Sequence, residues 1–92
     1  MSAAPGLLLL SRPGCHLCDE MKKLLERVLS ASGVSFVERN IEEDDELLRR
    51  YVLEIPVLLV GGEVIARHRA EESAVRARLE QLGVLSADSA RR

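Results

Sequence analysis

The chain is poor in aromatic residues, with one Tyr, one Phe and no Trp among its 92 residues. Proteins that bind single-stranded nucleic acid usually stack bases on aromatic side chains, which are too few here. The formal net charge of −2 also leaves no basic excess that could hold phosphates. We therefore expect an aliphatic core and no nucleic-acid partner.

Long apolar runs are also missing. The run nearest the N-terminus, Leu7–Leu10, is too short for a membrane span or for the core of a signal peptide, and no basic segment precedes it. We therefore expect no membrane partner and a cytoplasmic location, where thiols stay mostly reduced. Since no long exposed apolar stripe predicts a dimer interface, we also expect a monomer.

The composition nevertheless suits a packed globule, because 47% of the residues are hydrophobic. A chain of this length builds one small core, and neither repeats nor an internal linker divide it. We expect one domain over residues 7–83, a flexible N-terminus over residues 1–6 and a flexible C-terminal tail over residues 84–92. The tail is expected to fray because Ser86–Arg92 has no apolar pattern.

Short apolar runs next to Gly and Pro are typical of strands. They predict strands at Leu7–Leu10, Val34–Glu38, Val57–Val60 and Glu63–Ala66. The Gly61-Gly62 pair between the last two runs predicts a tight hairpin.

Apolar residues at three- and four-residue steps predict two amphipathic helices, one from Cys15 to Leu29 and one over Glu71–Leu82. A shorter helix is expected where the acidic run Glu42–Glu46 leads into Tyr51, with Asn40 or Asp44 as its N-cap. The element order is then β-α-β-α-β-β-α. It predicts an α/β fold with a mixed four-stranded sheet flanked by helices, a parallel first βαβ unit and an antiparallel final hairpin.

Both cysteines of the chain, Cys15 and Cys18, lie at the predicted junction between the first strand and the first helix. Cysteines so close together in a cytoplasmic chain are typical of catalysis or metal binding. Free N–H groups and the helix dipole favour an anion at this place, so Cys15 is expected to ionise more readily than an ordinary thiol. Arg12 adds positive charge nearby, and Asp19 and Glu20 oppose the effect.

The spacing of the two cysteines brings their sulfurs close enough for a disulfide. Cys18 lies one helical turn after Cys15 and on the apolar stripe, so it is expected to be less exposed. The prediction is that Cys15 attacks a substrate disulfide and that Cys18 resolves the mixed disulfide. His16 is expected to face solvent and is a candidate for tuning the thiolate. The second half of the site is expected at Glu54-Ile55-Pro56, where Pro56 starts a strand and a cis bond is an open alternative.

The segment Arg12–Cys18, Ile55-Pro56-Val57 and the strand–helix order together resemble a glutaredoxin-like protein of the thioredoxin-fold superfamily. The similarity extends over about Leu7–Leu82 and points to a small bacterial glutaredoxin-like subfamily with a Pro-Gly-Cys-His-Leu-Cys motif.

The resemblance implies a thiol–disulfide oxidoreductase with no bound cofactor, acting on protein or low-molecular-weight disulfides. Its electrons would come from glutathione or from a thioredoxin-reductase-type donor. Carried over to this chain, it implies that Pro56 is a cis-proline facing the cysteines and that the backbone of Ile55 pairs with an extended peptide or with glutathione. It also implies that Arg12 helps to bind a glutathione carboxylate.

The chain departs from typical glutaredoxins in two places. His16 and Leu17 stand between the cysteines, where typical members have Pro-Tyr. Typical members also grip glutathione with a Gly-Gly pair and an acid after the fourth strand, where this chain has Ala66–Glu71. In that segment Arg67 and Arg69 are candidates for an anionic substrate, and His68 is interpreted as a solvated strand-end residue.

Metal binding is the sharper alternative to redox chemistry. Zinc needs about four ligands, and the supply is Cys15, Cys18, His16 and His68. Because His16 is adjacent to Cys15, it cannot easily point the same way as both thiols, so no metal is expected. An iron–sulfur cluster shared between two chains and a non-catalytic docking module of the same fold stay open as alternatives.

Overall fold

A computed structural model describes residues 6–86 of the chain. Most of the predicted flexible N-terminus and tail, residues 1–5 and 87–92, lies outside the described residues. Residues 6–86 contain four strands and three α-helices, with a short 3₁₀ turn before the second helix. They are β1 (Leu7–Ser11), α1 (His16–Leu29), β2 (Val37–Asn40), the 3₁₀ turn (Ile41–Glu43), α2 (Asp45–Tyr51), β3 (Val57–Val60), β4 (Glu63–Arg67) and α3 (Glu72–Gln81).

The strands form one mixed sheet in the order β2-β1-β3-β4. β1 runs parallel to β2, with Leu8 opposite Val37, and antiparallel to β3, with Leu10 opposite Val57. β3 and β4 are antiparallel neighbours joined through the Gly61-Gly62 turn. The predicted fold class, the parallel first unit and the final hairpin are therefore confirmed.

The two central strands are buried on both faces, which explains why they read as unbroken apolar runs. Leu9 and Leu58 face the helices α1 and α3 in one core cluster. Leu10 and Val57 face the opposite side, where Tyr51 of α2 and Ile41 close a second cluster. Alternate residues of a strand thus supply two separate cores.

The hydrogen-bonded part of β2 begins later than the sequence predicts. Val34 and Phe36 are partly buried against the first core cluster, but they precede the strand. Pairing with β1 starts at Val37, which is exposed because β2 is an edge strand. The apolar alternation identifies the side that faces the core, but it does not mark where backbone pairing starts.

Both candidate N-caps before α2 are used. The Asn40 side chain accepts a hydrogen bond from the Glu42 N–H at 2.9 Å and caps the 3₁₀ turn. The Asp44 side chain accepts from the N–H groups of Glu46 at 2.9 Å and Leu47 at 3.1 Å and caps α2. The acidic run therefore contains two successive helix starts, and each has its own cap.

The packed domain extends past the predicted boundary at residue 83. After α3 the chain turns at Gly83, and the N–H groups of Val84 and Leu85 both donate to the Leu79 carbonyl, at 2.9 and 3.2 Å. Both side chains are buried in the first core cluster. The short apolar pair at the start of the predicted tail thus closes the end of α3.

A polar cluster ties the end of β1 to β2 and α1. The buried Ser11 hydroxyl donates to the Glu38 carboxylate at 2.8 Å, and the Lys22 ammonium lies 3.1 Å from the same carboxylate. Partial burial acts to raise the pKa of Glu38, but the hydrogen bonds from Ser11 and Lys22 outweigh it and leave this pKa below its ordinary value. The hydrogen bond to Glu38 and its charge raise the pKa of Lys22.

This cluster predicts a pH-dependent stability. Because the pKa of Glu38 is lower in the folded chain than in the unfolded one, its contribution is present above the unfolded value of about 4.3. It is lost as the pH falls through the lower, folded value. We expect Glu38→Gln to lower the urea midpoint at pH 7 and to have a shrinking effect as the pH is lowered. Glu43→Gln, at an exposed acid without an ion pair among residues 6–86, is the control and should show no such trend.

Candidate active site

The cysteine loop connects the buried end of β1 to the start of α1. Gly14 adopts a φ of +77°, a left-handed conformation that favours glycine over residues with a side chain. The Cys15 N–H donates to the Arg12 carbonyl at 3.4 Å, which closes the turn. Cys15 then takes the N-cap position of α1 in extended backbone geometry. Strand end, turn and cap together fix where the first sulfur lies.

The Cys15 sulfur itself caps the helix. The Cys18 N–H donates to Cys15 Sγ at 3.2 Å, in the place where a Ser or Asp oxygen usually accepts. A sulfur in this position lies at the positive end of the α1 dipole. Once the disulfide is reduced, this geometry would favour negative charge on Cys15, and the easy ionisation of Cys15 stays a prediction.

Cys15 and Cys18 form a disulfide, with their Cα atoms 5.2 Å apart. Their accessibility differs in the predicted direction. Cys15 is partly exposed, whereas Cys18 is 2% exposed on the stripe that α1 buries against the sheet. An incoming sulfur can therefore approach Cys15 more easily than Cys18.

Arg12 and His16, which flank Cys15, each contact a carboxylate. The Arg12 guanidinium lies 2.8 Å from Glu42, and both side chains are about 40% exposed. His16 faces solvent as expected, and its Nε2 lies 2.9 Å from Glu20 one turn later in the helix. The partner of Arg12 could not be predicted from the sequence, because Glu42 follows β2 and reaches Arg12 only through the parallel pairing of β1 and β2.

Ile55-Pro56 lies at the same end of the sheet as the cysteine loop. Val57 pairs with Leu10, so the residue before Val57 lies beside the end of β1. The Ile55–Pro56 peptide bond is cis. The Ile55 N–H donates to the Tyr51 carbonyl at 3.1 Å, so the predicted pairing with an extended partner has to use the carbonyl of Ile55.

The turn after β4 is attached to the proline. The His68 N–H donates to the Pro56 carbonyl at 2.9 Å, and His68 adopts a φ of +61°, which is uncommon for a residue with a side chain. Arg67 is ion-paired with Glu54 at 2.8 Å, just before the Ile55-Pro56 pair. The segment after β4 and the proline loop thus form one connected unit.

A cleft of about 380 Å³ lies between this turn and α1. Its α1 side begins at Leu17, inside the cysteine motif, and continues through Met21 and Leu24. His68 and Arg69 line its other side. His68 is exposed and directly follows β4, which agrees with the prediction of a solvated strand-end residue. Its place in a cleft was not predicted, because hydropathy does not show where a turn packs against a helix.

The ligand supply for a metal is sparse. Within residues 6–86, no three His, Cys, Asp or Glu side chains are grouped as they would be around a metal ion. His68 lies on the turn after β4, and His16 is directed to Glu20. The four residues considered for zinc are therefore not assembled as one ligand set.

Among residues 6–86, no helix has the length and apolar character needed to span a membrane.

Comparisons with known proteins agree with this arrangement. A family model described as glutaredoxin-like domain (DUF836) matches residues 6–80. A structural-genomics target protein from X. campestris is 28% identical, with a TM-score of 0.72 and coverage of 83% of this chain and 97% of that protein. A protein from Nitrosomonas europaea is 25% identical, with a TM-score of 0.70 and coverage of 85% of this chain and 94% of that protein. A mutant thioredoxin from Halobacterium salinarum is 18% identical, with a TM-score of 0.60 and coverage of 86% and 74%, and shows a shared fold.

The difference in exposure predicts a difference in reactivity. In the reduced protein near neutral pH, we expect iodoacetamide to modify Cys15 at least about tenfold faster than Cys18. The rates are measured by intact mass on the single variants Cys18→Ser and Cys15→Ser, which each keep one thiol. In urea the two rates should become similar, because unfolding removes both the helix start and the burial. Equal rates in the folded variants would contradict the assignment of Cys15 as the accessible, activated thiol.

Proposed function

Because the chain belongs to the family of glutaredoxin-like domains (DUF836), we propose that it is a thiol–disulfide oxidoreductase that reduces protein or low-molecular-weight disulfides. The observation that carries the proposal is the disulfide between Cys15 and Cys18 at the N-terminus of α1. A structural staple would have little to hold together here, since the two residues are three positions apart in the sequence. A reversible bond at an accessible helix start suits electron transfer.

The first step is attack by the Cys15 thiolate on one sulfur of the substrate disulfide. A Cys15–substrate disulfide forms, the substrate S–S bond breaks, and the departing sulfur takes the electron pair and then a proton. The Cys18 N–H, which donates to Cys15 Sγ, and the helix dipole stabilise the attacking thiolate. Arg12 contributes less than its position suggests, because Glu42 neutralises it.

The second step returns the other half of the substrate as a thiol. Cys18 loses its proton and attacks Cys15 Sγ, the mixed disulfide breaks, and the substrate sulfur leaves with the electron pair and is protonated. The protein is then oxidised by two electrons and the substrate reduced by two. Cys18 is nearly buried, which suits a thiol that reacts inside the protein rather than with external molecules.

Substrate binding is proposed at the proline side of the pair. The carbonyl of Ile55 would accept a hydrogen bond from an extended partner, and cis-Pro56 would pack beside the mixed disulfide. Arg12 would bind a substrate carboxylate by exchanging it for Glu42, which is a partly exposed and therefore replaceable partner. His16 would tune the Cys15 thiolate, although its own partner is Glu20.

The electron donor would be glutathione or a thioredoxin-reductase-type protein. Typical glutaredoxins hold glutathione with a Gly-Gly pair and an acid after the fourth strand, and this chain has Ala66–Glu71 there. A reductase-type donor is therefore as compatible with the chain as glutathione. In either case the protein would take part in cytoplasmic redox homeostasis, passing electrons from the donor to disulfides as a monomer without a bound cofactor.

The experiment is a redox titration of the purified chain in glutathione buffers, read by intact mass and peptide mapping. We expect a Cys15–Cys18 disulfide to form and to disappear reversibly across the series. No disulfide at any ratio would reject the oxidoreductase and leave the docking-module or metal and iron–sulfur carrier alternatives, which absorbance and metal analysis of the purified protein can then examine.

The variant Cys18→Ser separates the two donors. If glutathione is accepted, this variant should accumulate a glutathione adduct on Cys15, since the resolving thiol is missing. The matched variant Cys15→Ser should accumulate none, because Cys18 is nearly buried. A reversible disulfide in the unsubstituted chain without an adduct in Cys18→Ser would assign the donor to the thioredoxin-reductase type.

A further inference from the structure

The cleft between α1 and the turn after β4 is basic. Its cationic lining residues are Lys23, Arg27 and Arg69, and its acidic lining residue is Glu20. Glu20 contacts His16 at 2.9 Å, and three cationic residues against this one acid give the lining an excess of positive charge. The floor on the α1 side is apolar. A surface with an apolar floor and a cationic rim suits a ligand that has both apolar and anionic groups.

Two of the three cations are available to a ligand. Arg27 is ion-paired with Glu72 of α3 at 3.0 Å. Lys23 and Arg69 take part in no ion pair among residues 6–86, and both are exposed. They lie on opposite sides of the cleft, Lys23 on α1 and Arg69 on the turn after β4, so a ligand in the cleft has a cation on each side.

The cleft lies next to the proposed redox site, although Cys15, Cys18 and Pro56 do not line it. Its first residue, Leu17, stands between the two cysteines in the chain, and its far side contains His68, whose N–H is bonded to the carbonyl of Pro56. A substrate whose sulfur reacts at Cys15 is therefore close enough for its flanking chain to enter this cleft. The positions of the cations then decide which flanking residues are favoured.

The length of the cleft indicates the size of the ligand. From Leu17 to Arg27 the α1 axis rises by about 15 Å, and from Leu17 to Lys23 by about 9 Å. An extended peptide advances about 3.3 Å per residue, so the basic end lies about three to five residues from the reacting sulfur. This span fits a segment of a protein substrate better than it fits a tripeptide held at the sulfur.

We infer that this cleft binds an acidic segment of the protein substrate, about three to five residues from the substrate's reacting cysteine. Lys23 and Arg69 would be the residues that determine this specificity. The inference rests on the proposed oxidoreductase function and adds the class of substrate. The proposed site would not bind the ammonium group of a ligand, because that requires an acidic side chain and the turn after β4 presents cations instead.

The test uses short peptides whose single cysteine is joined by a disulfide to thionitrobenzoate. Cys15 forms a bond to the peptide sulfur and thionitrobenzoate leaves with the electron pair. Cys18 then releases the peptide thiol, and the two electrons come from the reduced protein. Glutamates are placed three to five residues before or after the cysteine, and matched peptides carry glutamine. The release of thionitrobenzoate is followed by its absorbance at low and at high salt.

At low salt we expect at least one glutamate peptide to react about tenfold faster than its glutamine counterpart, with the advantage falling as salt screens the charges. Arg69→Gln and Lys23→Gln should each remove most of this advantage, measured for each variant as the ratio of its rates with the glutamate and the glutamine peptide. Arg49→Gln is the matched control, because Arg49 is an exposed cation on α2 outside the cleft. It removes the same charge and should keep the advantage.

Equal rates for glutamate and glutamine peptides would overturn the inference and leave the oxidoreductase function intact. An advantage that Arg49→Gln reduces as much as Arg69→Gln would also overturn it, since the effect would then come from net charge rather than from the cleft. If the fully reduced protein releases thionitrobenzoate from neither peptide, the proposed oxidoreductase function is overturned. The proposed substrate class, which rests on that function, is then rejected as well.

Discussion

Burial of β1 and β3 on both faces is the constraint on which the site depends. Because alternate side chains of these strands enter two separate cores, neither strand can shift by one residue without exchanging its core contacts. The register then fixes where β1 ends and where β3 begins. The cysteine loop leaves from the first point and Pro56 precedes the second, so the two halves of the site meet at one end of the sheet.

The parts of the fold that the sequence predicted are those set by local pattern. The runs at β1 and β3, the glycine hairpin and the stripe of α1 each carry their own periodicity, and the placement of Cys15 at a helix start follows from them. The predicted start of β2 was too early, because Val34 and Phe36 pack against the core before backbone pairing with β1 begins. Val84 and Leu85 were left outside the domain, because a two-residue apolar pair has no period to recognise.

The features that the sequence could not supply depend on residues far apart in the chain. The ion pair between Arg12 and Glu42 and the cleft between Leu17 and Arg69 both join separate segments through the sheet. Such contacts can be predicted only when the strand order is known, because the strand order brings the separate segments together. For the proposed chemistry they matter, because the ion pair offsets the charge of Arg12 beside the proposed nucleophile and the cleft brings cations to a neighbouring surface.

The 5.2 Å between the Cα atoms of Cys15 and Cys18 is close to the separation of about 5 Å that any two residues three apart have in an undistorted α-helix. The backbone at the start of α1 therefore already stands where the disulfide needs it, and side-chain rotation can make or break the bond. The oxidised and reduced proteins would then have nearly the same shape and differ chiefly in the charge at the tip of α1. A partner that binds the oxidised and reduced proteins differently would then respond to the charge at the start of α1 rather than to a change in conformation.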